Sequence, residues 1–250
     1  MNYAVHSAIR RNNRPNKPCE DFLVCGRDVF VVADGVTQNA EEYHEDMTSS
    51  RAAEAARLTA ETIASALERA EDPTAAIREA VARAVDITGR YNEAHDGPYP
   101  AAAVFVSGAI RADTLHFAYL GDSMIVLLRG GVRIRLSEQQ TSHLRLYRGT
   151  FTKRELYDTV TNNAGHPLGY GVIDGEERAL DFLRASSLKL QAGDRLILAS
   201  DGIDKYLAFA PIDELSTLPP EALLDRSEAY DKPPYNNYAD DKAVIIVDVQ

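Results

Sequence analysis

The sequence predicts an α+β fold in which antiparallel β-sheets are layered against helices. Short apolar runs typical of strands recur along the chain, and two long helical patterns follow each other directly between the first two of these runs. Because strands and helices do not alternate one for one, the parallel βαβ arrangement of doubly wound folds is disfavoured. Arg129-Gly130-Gly131, between two of the runs, is typical of a hairpin turn and indicates antiparallel pairing there.

Segments rich in Val, Ile, Phe and Leu are the predicted strands. They are Val29–Ala33, Val104–Ile110, Leu115–Leu120, Met124–Leu128, Val132–Leu136, Arg195–Ala199 and Val244–Val249. Their nearly continuous apolar character indicates strands that are buried on both faces.

The helical region is predicted to begin near Asp46 and to break at Asp72-Pro73, because Asp caps helices and Pro suits the first helical position. Each of the two helices carries one apolar stripe at spacings of three and four residues. The stripes are Ala52, Ala56, Thr59, Ile63, Ala66 and Ala70 in the first helix, and Ile77, Val81, Ala84, Val85 and Thr88 in the second. Each helix is therefore expected to bury one face against the sheets.

We expect one domain over residues 1–250, since 45% apolar content at this length suits one sizeable core and no repeat or linker divides the chain. Within it, the segment 137–177 is polar and glycine-rich, with one predicted helix over Thr152–Thr161. Irregular segments of this length in compact domains are usually functional or mobile. The segment is either a flap beside the functional site or a surface insertion without a role there.

Charge and cysteine content exclude several classes of protein. The 38 acidic and 27 basic side chains give a formal net charge of −11, which repels a nucleic-acid backbone. Cys19 and Cys25 are too few for a disulfide framework and lack the spacing of a zinc site. No stretch approaches the about 18 consecutive apolar residues of a membrane span. We therefore expect a cytoplasmic protein with no nucleic-acid or membrane partner.

Aspartates follow apolar strands at several distant points. Val31-Val32-Ala33 runs into Asp34-Gly35, Leu198-Ala199-Ser200 runs into Asp201-Gly202, and Leu120-Gly121 precedes Asp122. Near the C-terminus, Asp240-Asp241 directly precede the last predicted strand. A strand buried on both faces forces a carboxylate to its end, where glycine lets the backbone turn and approach an ion closely. A single Asp-Gly is typical of a turn, but the repeated pattern predicts that these carboxylates come together.

Carboxylates crowded at strand ends repel one another unless a cation compensates their charge. Oxygen-only ligand sets completed by water suit Mg²⁺ or Mn²⁺, whereas zinc usually recruits histidine or thiolate. The six histidines are scattered without a repeated spacing. The sequence therefore predicts an oxygen-ligated site for a divalent cation.

In these segments the sequence resembles the metal-dependent protein phosphatases of the protein phosphatase 2C family. The resembling segments follow family order along nearly the whole chain. They are Cys19-Glu20-Asp21-Phe22, Val31-Val32-Ala33-Asp34-Gly35, Leu120-Gly121-Asp122-Ser123, Leu196-Ile197-Leu198-Ala199-Ser200-Asp201-Gly202-Ile203 and Asp240-Asp241-Lys242-Ala243-Val244. Their order and spacing together are specific, and the Leu196–Ile203 segment is the strongest.

The resemblance implies a sandwich of two antiparallel β-sheets flanked by helices. It also implies a catalytic pair of Mn²⁺ or Mg²⁺ ions with Asp34, Asp201 and Asp240 as ligands. The Gly35 carbonyl would contribute to one ion.

Further ligands are implied around this pair. Asp21, with Glu20 as a further candidate, would act through bound water, and Asp122 would support an accessory third ion. Asp241 stands where the family has asparagine, so either Asp240 or Asp241 is the ligand at that position.

Two segments depart from the family pattern. Val36-Thr37-Gln38-Asn39 replaces a glycine-rich continuation, so the histidine of many eukaryotic members is absent. Pro98-Tyr99-Pro100-Ala101-Ala102-Ala103 replaces a Gly-Thr-Thr or Gly-Ser-Thr motif before the central strands. Full and residual activity are both compatible with these departures.

A basic cluster lies just before Glu20-Asp21, where members of the family place an arginine that binds the substrate phosphate. It comprises Arg10, Arg11, Arg14 and Lys17. Arg14 is the first candidate for phosphate binding, followed by Arg10 or Arg11. For each of them, the alternative is a solvated basic loop.

The resemblance implies hydrolysis of phosphoserine and phosphothreonine in a phosphorylated protein substrate, with a metal-activated water as nucleophile and no covalent phosphoenzyme. Two alternatives stand beside this prediction. One is a catalytically weak regulatory or binding pseudophosphatase, which the altered motifs favour. The other is a phosphatase of a small phosphorylated metabolite.

Overall fold

The strands form two five-stranded antiparallel sheets with helices outside them, which confirms the predicted α+β sandwich. The computed structural model describes residues 1–14, 16–37, 43, 47–147, 149–234 and 240–250. None of the described helices combines the length and the apolar character that crossing a membrane requires.

The strands divide between the sheets in an order that differs from their order in the chain. In chain order they are β1 (Tyr3–Arg10), β2 (Asp21–Cys25), β3 (Val29–Gly35), β4 (Ala103–Arg111), β5 (Thr114–Leu120), β6 (Met124–Arg129), β7 (Val132–Arg135), β8 (Arg184–Lys189), β9 (Arg195–Ala199) and β10 (Lys242–Val249). The first sheet has the order β1-β10-β9-β6-β7 and the second has the order β2-β3-β4-β5-β8. Gly130 and Gly131 form the predicted hairpin turn, since Arg129 lies opposite Val132 and both glycines have positive φ.

All the helices but the short α3 cover the outer faces of the two sheets. They are α1 (Arg51–Arg69), α2 (Pro73–Ala94), α3 (Lys153–Glu155), α4 (Asp204–Phe209), α5 (Ile212–Thr217) and α6 (Pro220–Ser227). Helices α1 and α2 pack against the second sheet, and α4 to α6 pack against the first. The result is four layers in the order helix, sheet, sheet, helix.

Strand β3 shows why the central strands have continuous apolar sequences. Phe30 and Val32 belong to the core between the two sheets, whereas Val31 and Ala33 pack in the layer between the second sheet and α1. Both faces are therefore covered, and alternate side chains enter different cores. A charged side chain fits only at the end of such a strand.

Caps define the beginnings of the two long helices. The Ser50 hydroxyl accepts from the Ala53 backbone at 3.1 Å, and the Asp72 carboxylate accepts from Thr74 and Ala75 at 2.9 and 3.2 Å. The predicted break at Asp72-Pro73 is confirmed. The predicted start near Asp46 is wrong, because α1 begins at Arg51, and Asp46 itself lies outside the described residues.

The predicted stripe of α2 is buried throughout, whereas the stripe of α1 needs a correction at its C-terminal end. Leu67 is buried there, and Ala66 and Ala70 are only half-buried. A leucine reaches further into the helix–sheet layer than an alanine, so it contributes the larger share of the buried apolar surface.

The prediction missed three strands, and all three lie at sheet edges. β1 ends the first sheet, and β2 and β8 end the second. An edge strand has one free side and is less enclosed, so polar residues are tolerated in it. The sequence of β8, Arg-Ala-Ser-Ser-Leu-Lys, is almost entirely exposed and carries no apolar run.

The segment 137–177 is partly anchored to the body of the protein. Thr152 and Glu155 form a reciprocal capping box, and α3 continues as a π-helical turn over Leu156–Val160, so the helix predicted over Thr152–Thr161 is present in irregular form. Ile173 is fully buried and forms an isolated bridge with Ala103. The C-terminal part of the segment is therefore fixed beside β4.

Replacing Ile245 by Ala is expected to lower the free energy of unfolding by about 2–5 kcal/mol, because the side chain is fully buried between the sheets and its loss leaves a cavity. The matched control is Ile134→Ala on β7, where Ile134 is 38% exposed and an effect within about 0.5 kcal/mol is expected. Urea unfolding of both variants measures the difference. Equal losses would show that the space between the sheets is not the main core.

Candidate functional site

One end of the sandwich gathers the carboxylates that the sequence singled out. Asp21 opens β2 and Asp34 lies near the end of β3, where the two are direct cross-strand partners. Asp201 lies just beyond the end of β9, and Asp241 immediately precedes β10. Since β9 pairs with β10 so that Ala199 lies opposite Val244, these two acids also lie at a common edge.

Ser200 joins the two sheets at this edge. Its hydroxyl donates to Asp21 Oδ2 at 2.6 Å and accepts from the Ala243 backbone N–H at 2.9 Å. Ser200 is fully buried. A single hydroxyl therefore connects β2 of the second sheet with β9 and β10 of the first.

Both Asp-Gly pairs need glycine because other backbone approaches closely. A Cβ on Gly35 would lie 2.4 Å from the Ala52 carbonyl oxygen and 2.9 Å from that of Glu20. A Cβ on Gly202 would lie 2.0 Å from the Asp241 carbonyl oxygen. Neither distance is compatible with a side chain, so the glycines let the segments that carry the acids pack together.

The acids influence one another electrostatically across the edge. Burial raises the pKa of Asp34 well above its usual range, and the negative charges of Asp21, Asp201, Asp240 and Asp122 raise it further. Burial likewise raises the pKa of Asp201, with Asp122 and Asp240 adding to the effect. These carboxylates therefore lie close enough to destabilise each other's ionised forms.

Among the described residues, Asp34 and Asp201 have no protein partner for their charge. Within the described ranges, no side chain or backbone group donates a hydrogen bond to either carboxylate, and neither forms an ion pair. Both are partly accessible to solvent. Hard carboxylate oxygens without protein donors, in a cluster of like charge, fit a divalent cation of the Mg²⁺ or Mn²⁺ type.

Among the described residues, the acidic side chains do not converge on one position that an ion could occupy. In the part of the chain that the structure describes, no three Asp, Glu, His or Cys side chains are spaced to hold a metal ion together. Like charges repel at short range, so a cation stabilises carboxylates that lie close together. The arrangement has the chemistry of a metal site.

Asp240 and Asp241 differ sharply in their surroundings. The Asp241 side chain is 2% exposed, and its carboxylate accepts from Asn12, Lys17 and the Glu20 backbone. Although burial alone would raise the pKa of Asp241, the Lys17 and backbone donors hold it below its usual range. The Asp240 side chain is 39% exposed. Geometry therefore favours Asp240 over Asp241 as the carboxylate that remains accessible to an ion.

Lys17 is a buried residue among the acids that the sequence did not single out from its basic cluster. Its side chain is 2% exposed, and Nζ lies 2.9 Å from Asp240, 2.8 Å from Asp241 and 3.2 Å from Glu20. Burial alone would lower the pKa of Lys17, but the three carboxylates raise it above its usual range. The only sequence signal was its position shortly before Glu20-Asp21, which does not reveal burial.

Asp122 lies in the turn between β5 and β6. Gly121 there has φ +95°, a conformation that favours glycine. The Thr141 hydroxyl donates to Asp122 Oδ2 at 2.7 Å, and Gln140 accepts from the Gly121 backbone at 3.0 Å. The beginning of the segment 137–177 is therefore in contact with the turn that carries Asp122.

The two candidate phosphate-binding arginines differ in their partners. Arg10 donates to Asp225 at 2.5 Å and to Glu228 at 2.8 Å. Arg14 is exposed, and its backbone N–H donates to Asn12, which in turn holds Asp241. Within the described residues, the Arg14 guanidinium forms no ion pair.

The segments that depart from the family pattern are well packed where the structure describes them. Val36 donates its backbone N–H to the Ala102 carbonyl at 2.9 Å, and Asn92 binds both backbone groups of Ala101. Ala101, Ala102 and Ala103 are buried. Gln38 and Asn39 lie outside the described residues.

The chain is similar to known proteins in sequence pattern and in fold. The model of the protein phosphatase 2C family matches residues 10–226. The Mycobacterium tuberculosis serine/threonine phosphatase PstP/Ppp is 19% identical at a TM-score of 0.70, with 99% of each chain covered. A second PstP structure, described as a catalytic domain in complex with 2 manganese ions, is 18% identical at a TM-score of 0.71, again with 99% of each chain covered.

Another solved structure, PppA of Pseudomonas aeruginosa, is 19% identical at a TM-score of 0.69, with 100% of this chain and 99% of that chain covered. Comparison with curated protein sequences finds no match. At such low identities these structures establish a shared fold along the whole chain.

In the absence of metal, the protein is expected to lose stability as the pH rises from about 4 toward 8. An acid whose pKa is higher in the folded than in the unfolded state, where it is about 4, binds its proton more tightly when folded. The free energy of unfolding therefore falls as the pH rises between the two values. For Asp21 this range extends to about 8, and Asp34 and Asp201 shift in the same direction.

Urea unfolding at several pH values in the presence of a chelator measures this slope. Asp34→Asn should flatten it, whereas Asp181→Asn at an exposed position should not. If the free energy of unfolding changed with pH identically in wild type and Asp34→Asn, the pH dependence could not be assigned to Asp21, Asp34 and Asp201.

Proposed function

The chain belongs to the protein phosphatase 2C family, and we propose that it is a metal-dependent protein serine/threonine phosphatase. The observation that carries this proposal is the convergence of carboxylates from both sheets at one edge. Of these, Asp34 and Asp201 have no protein donor in the part of the chain that the structure describes. Hydrolysis of a phosphomonoester needs a nucleophile and compensation of charge on the transferring phosphoryl group. A cation bound to these carboxylates meets both needs.

Asp34, Asp201 and Asp240 are the proposed metal ligands, with the Gly35 carbonyl, Asp21 and Asp122 as further oxygen donors around them. Bound Mn²⁺ or Mg²⁺ supplies an acidified water and polarises the phosphate oxygens. The Ser200 hydroxyl holds Asp21 Oδ2. Within the described residues Asp21 Oδ1 has no donor, so it is available to orient a water molecule.

Arg14 is the proposed phosphate-binding residue. Arg10 is engaged by two carboxylates, whereas the Arg14 guanidinium is exposed on the segment that Asn12 fixes against Asp241. A guanidinium suits the planar, bidentate recognition of a phosphate group. Arg10 remains the second candidate, since substrate could compete for a surface ion pair of small net energy.

The segment 137–177 supports a protein substrate, because its first residues contact the Asp122 turn through Thr141. This contact is consistent with a flap beside the site within one domain. Burial raises the pKa of the Cys19 thiol to about 12, which disfavours a cysteine nucleophile.

A cytoplasmic location remains a prediction from the sequence.

Hydrolysis of an aryl phosphate by the purified protein is expected to require Mn²⁺ or Mg²⁺ and to stop in the presence of a chelator. Asp34→Asn and Asp201→Asn should each lower kcat/KM by at least about a hundredfold, because each removes a charged ligand of the ion. Asp213→Asn, on an exposed face of α5, is the matched control and should retain activity.

A comparison of phosphoserine and phosphothreonine peptides with small phosphate esters identifies the substrate class, and peptides should show the higher kcat/KM. Preference for small esters would support the phosphatase of a small metabolite. A folded protein that binds Mn²⁺ without turnover would contradict the proposed enzyme and support the regulatory pseudophosphatase. Full activity in Asp201→Asn would contradict the metal ligand set.

A further inference from the structure

The Lys17 ammonium is enclosed by three carboxylates from two separate segments of the chain. Glu20 lies on the segment that leads into β2, and Asp240 and Asp241 lie on the segment that leads into β10. An ammonium group has three donors. Each of them has one carboxylate within 3.2 Å, so the charge of Lys17 is fully matched by protein.

The Asp241 carboxylate is saturated by protein donors. Oδ1 accepts from the Asn12 backbone N–H at 2.8 Å and from Asn12 Nδ2 at 2.7 Å. Oδ2 accepts from Lys17 at 2.8 Å and from the Glu20 backbone N–H at 3.0 Å. A carboxylate offers about four acceptor positions, and all of them are occupied here.

The Glu20 carboxylate is saturated in the same way. Oε1 accepts from the hydroxyls of Ser50 at 2.5 Å and Tyr43 at 2.7 Å. Oε2 accepts from the Thr37 hydroxyl and lies 3.2 Å from Lys17 Nζ. Ser50 also caps α1, so this acid is built into the fold and has no acceptor position left for an ion or for its water.

Asp240 marks the boundary of this saturated group. Its Oδ1 accepts from Lys17 Nζ and from the Asp241 backbone N–H, both at 2.9 Å. Within the described residues its Oδ2 has no donor, as is true of Asp34 and Asp201. The acidic cluster comprises Glu20, Asp34, Asp201, Asp240 and Asp241. At its Glu20–Asp241 end the carboxylates are satisfied by protein donors, whereas the end formed by Asp34, Asp201 and Asp240 still needs a cation.

We propose that Lys17 is a protein-supplied cation that takes the place of a divalent ion at the Glu20–Asp241 end of the cluster. Divalent ions then bind only at the end formed by Asp34, Asp201 and Asp240, and Lys17 is a positioning residue that holds Asp240 through Oδ1. This inference rests on the proposed metal-dependent phosphatase function. Unlike a bound ion, the lysine charge stays in place when metal is removed, so it maintains this end of the site in the metal-free protein.

Lys17→Ala tests the proposal through metal binding, independently of turnover. The substitution removes both the charge and the bulk of the side chain, so the carboxylates of Glu20, Asp240 and Asp241 lose their common cation. Titration of the chelator-treated full chain with Mn²⁺, followed by the electron paramagnetic resonance signal of free Mn²⁺, gives the number of bound ions. We expect Lys17→Ala to bind one more Mn²⁺ per chain than wild type.

Lys242→Ala is the matched control. Lys242 is as enclosed as Lys17, with 3% of its side chain exposed, and it donates to Asp231 at 2.7 Å and Ser227 at 3.0 Å rather than to the acidic cluster. Its loss should leave the number of bound Mn²⁺ ions unchanged. An unchanged number in Lys17→Ala as well would overturn the proposal.

Glu20→Gln provides a second test should Lys17→Ala not fold. It keeps the shape of the side chain, and because Glu20 has no acceptor position for an ion, wild-type Mn²⁺ stoichiometry is expected. The affinity should fall by less than the about tenfold that removal of an outer ligand typically causes. Loss of one ion, or a tenfold weaker affinity, would overturn the proposal.

Mn²⁺ binding by the wild type distinguishes a failure of the inference about Lys17 from a failure of the proposed function. Mn²⁺ binding in the wild type, combined with a negative result for Lys17, overturns only the inference about Lys17. A wild-type protein that binds no Mn²⁺ overturns the proposed metal-dependent function and this inference with it.

Discussion

Negative charge at the edge where the two sheets meet is the constraint on which the site depends. Strands β3 and β9 are buried on both faces, so acidic side chains are accommodated only at the ends of these strands. The pairing of β2 with β3 and of β9 with β10, joined by the Ser200 hydroxyl, then places these ends together. The same packing that excludes charge from the core concentrates it at one edge.

This charge is compensated unevenly. Glu20 and Asp241 receive hydroxyl, amide and ammonium donors, and their acceptor positions are filled by the fold. Asp34 and Asp201 receive none from the described residues, and burial raises the pKa of both. The first group behaves as part of the scaffold, whereas the second is arranged to interact with a cation and, through it, with a phosphate group.

Much of this arrangement could be predicted from the sequence because it follows from burial. Continuous apolar runs predicted the central strands, and the carboxylates at their ends predicted where charge would gather. Edge strands such as β1 and β8 were missed because an edge tolerates polar residues and leaves no apolar run. The order of strands within each sheet also depends on long-range pairing that local patterns do not encode.

Lys17 shows that local sequence also fails to reveal the burial of a single side chain. In the sequence it is one of several basic residues before Glu20-Asp21, and a solvated loop would have the same composition. Its burial arises only when the β10 segment places Asp240 and Asp241 beside it. Conversely, the predicted candidate Arg10 has the expected charge but pairs with Asp225 and Glu228 on the α6 side of β1.

The most direct test of the central claim is the position of bound metal, measured by anomalous X-ray diffraction from crystals of the protein grown with Mn²⁺. We expect anomalous density beside the carboxylates of Asp34, Asp201 and Asp240, with none between Glu20 and Asp241. Density between Glu20 and Asp241 with Lys17 displaced would contradict the division of the cluster. The absence of density beside Asp34 and Asp201 at saturating Mn²⁺ would contradict the metal site itself.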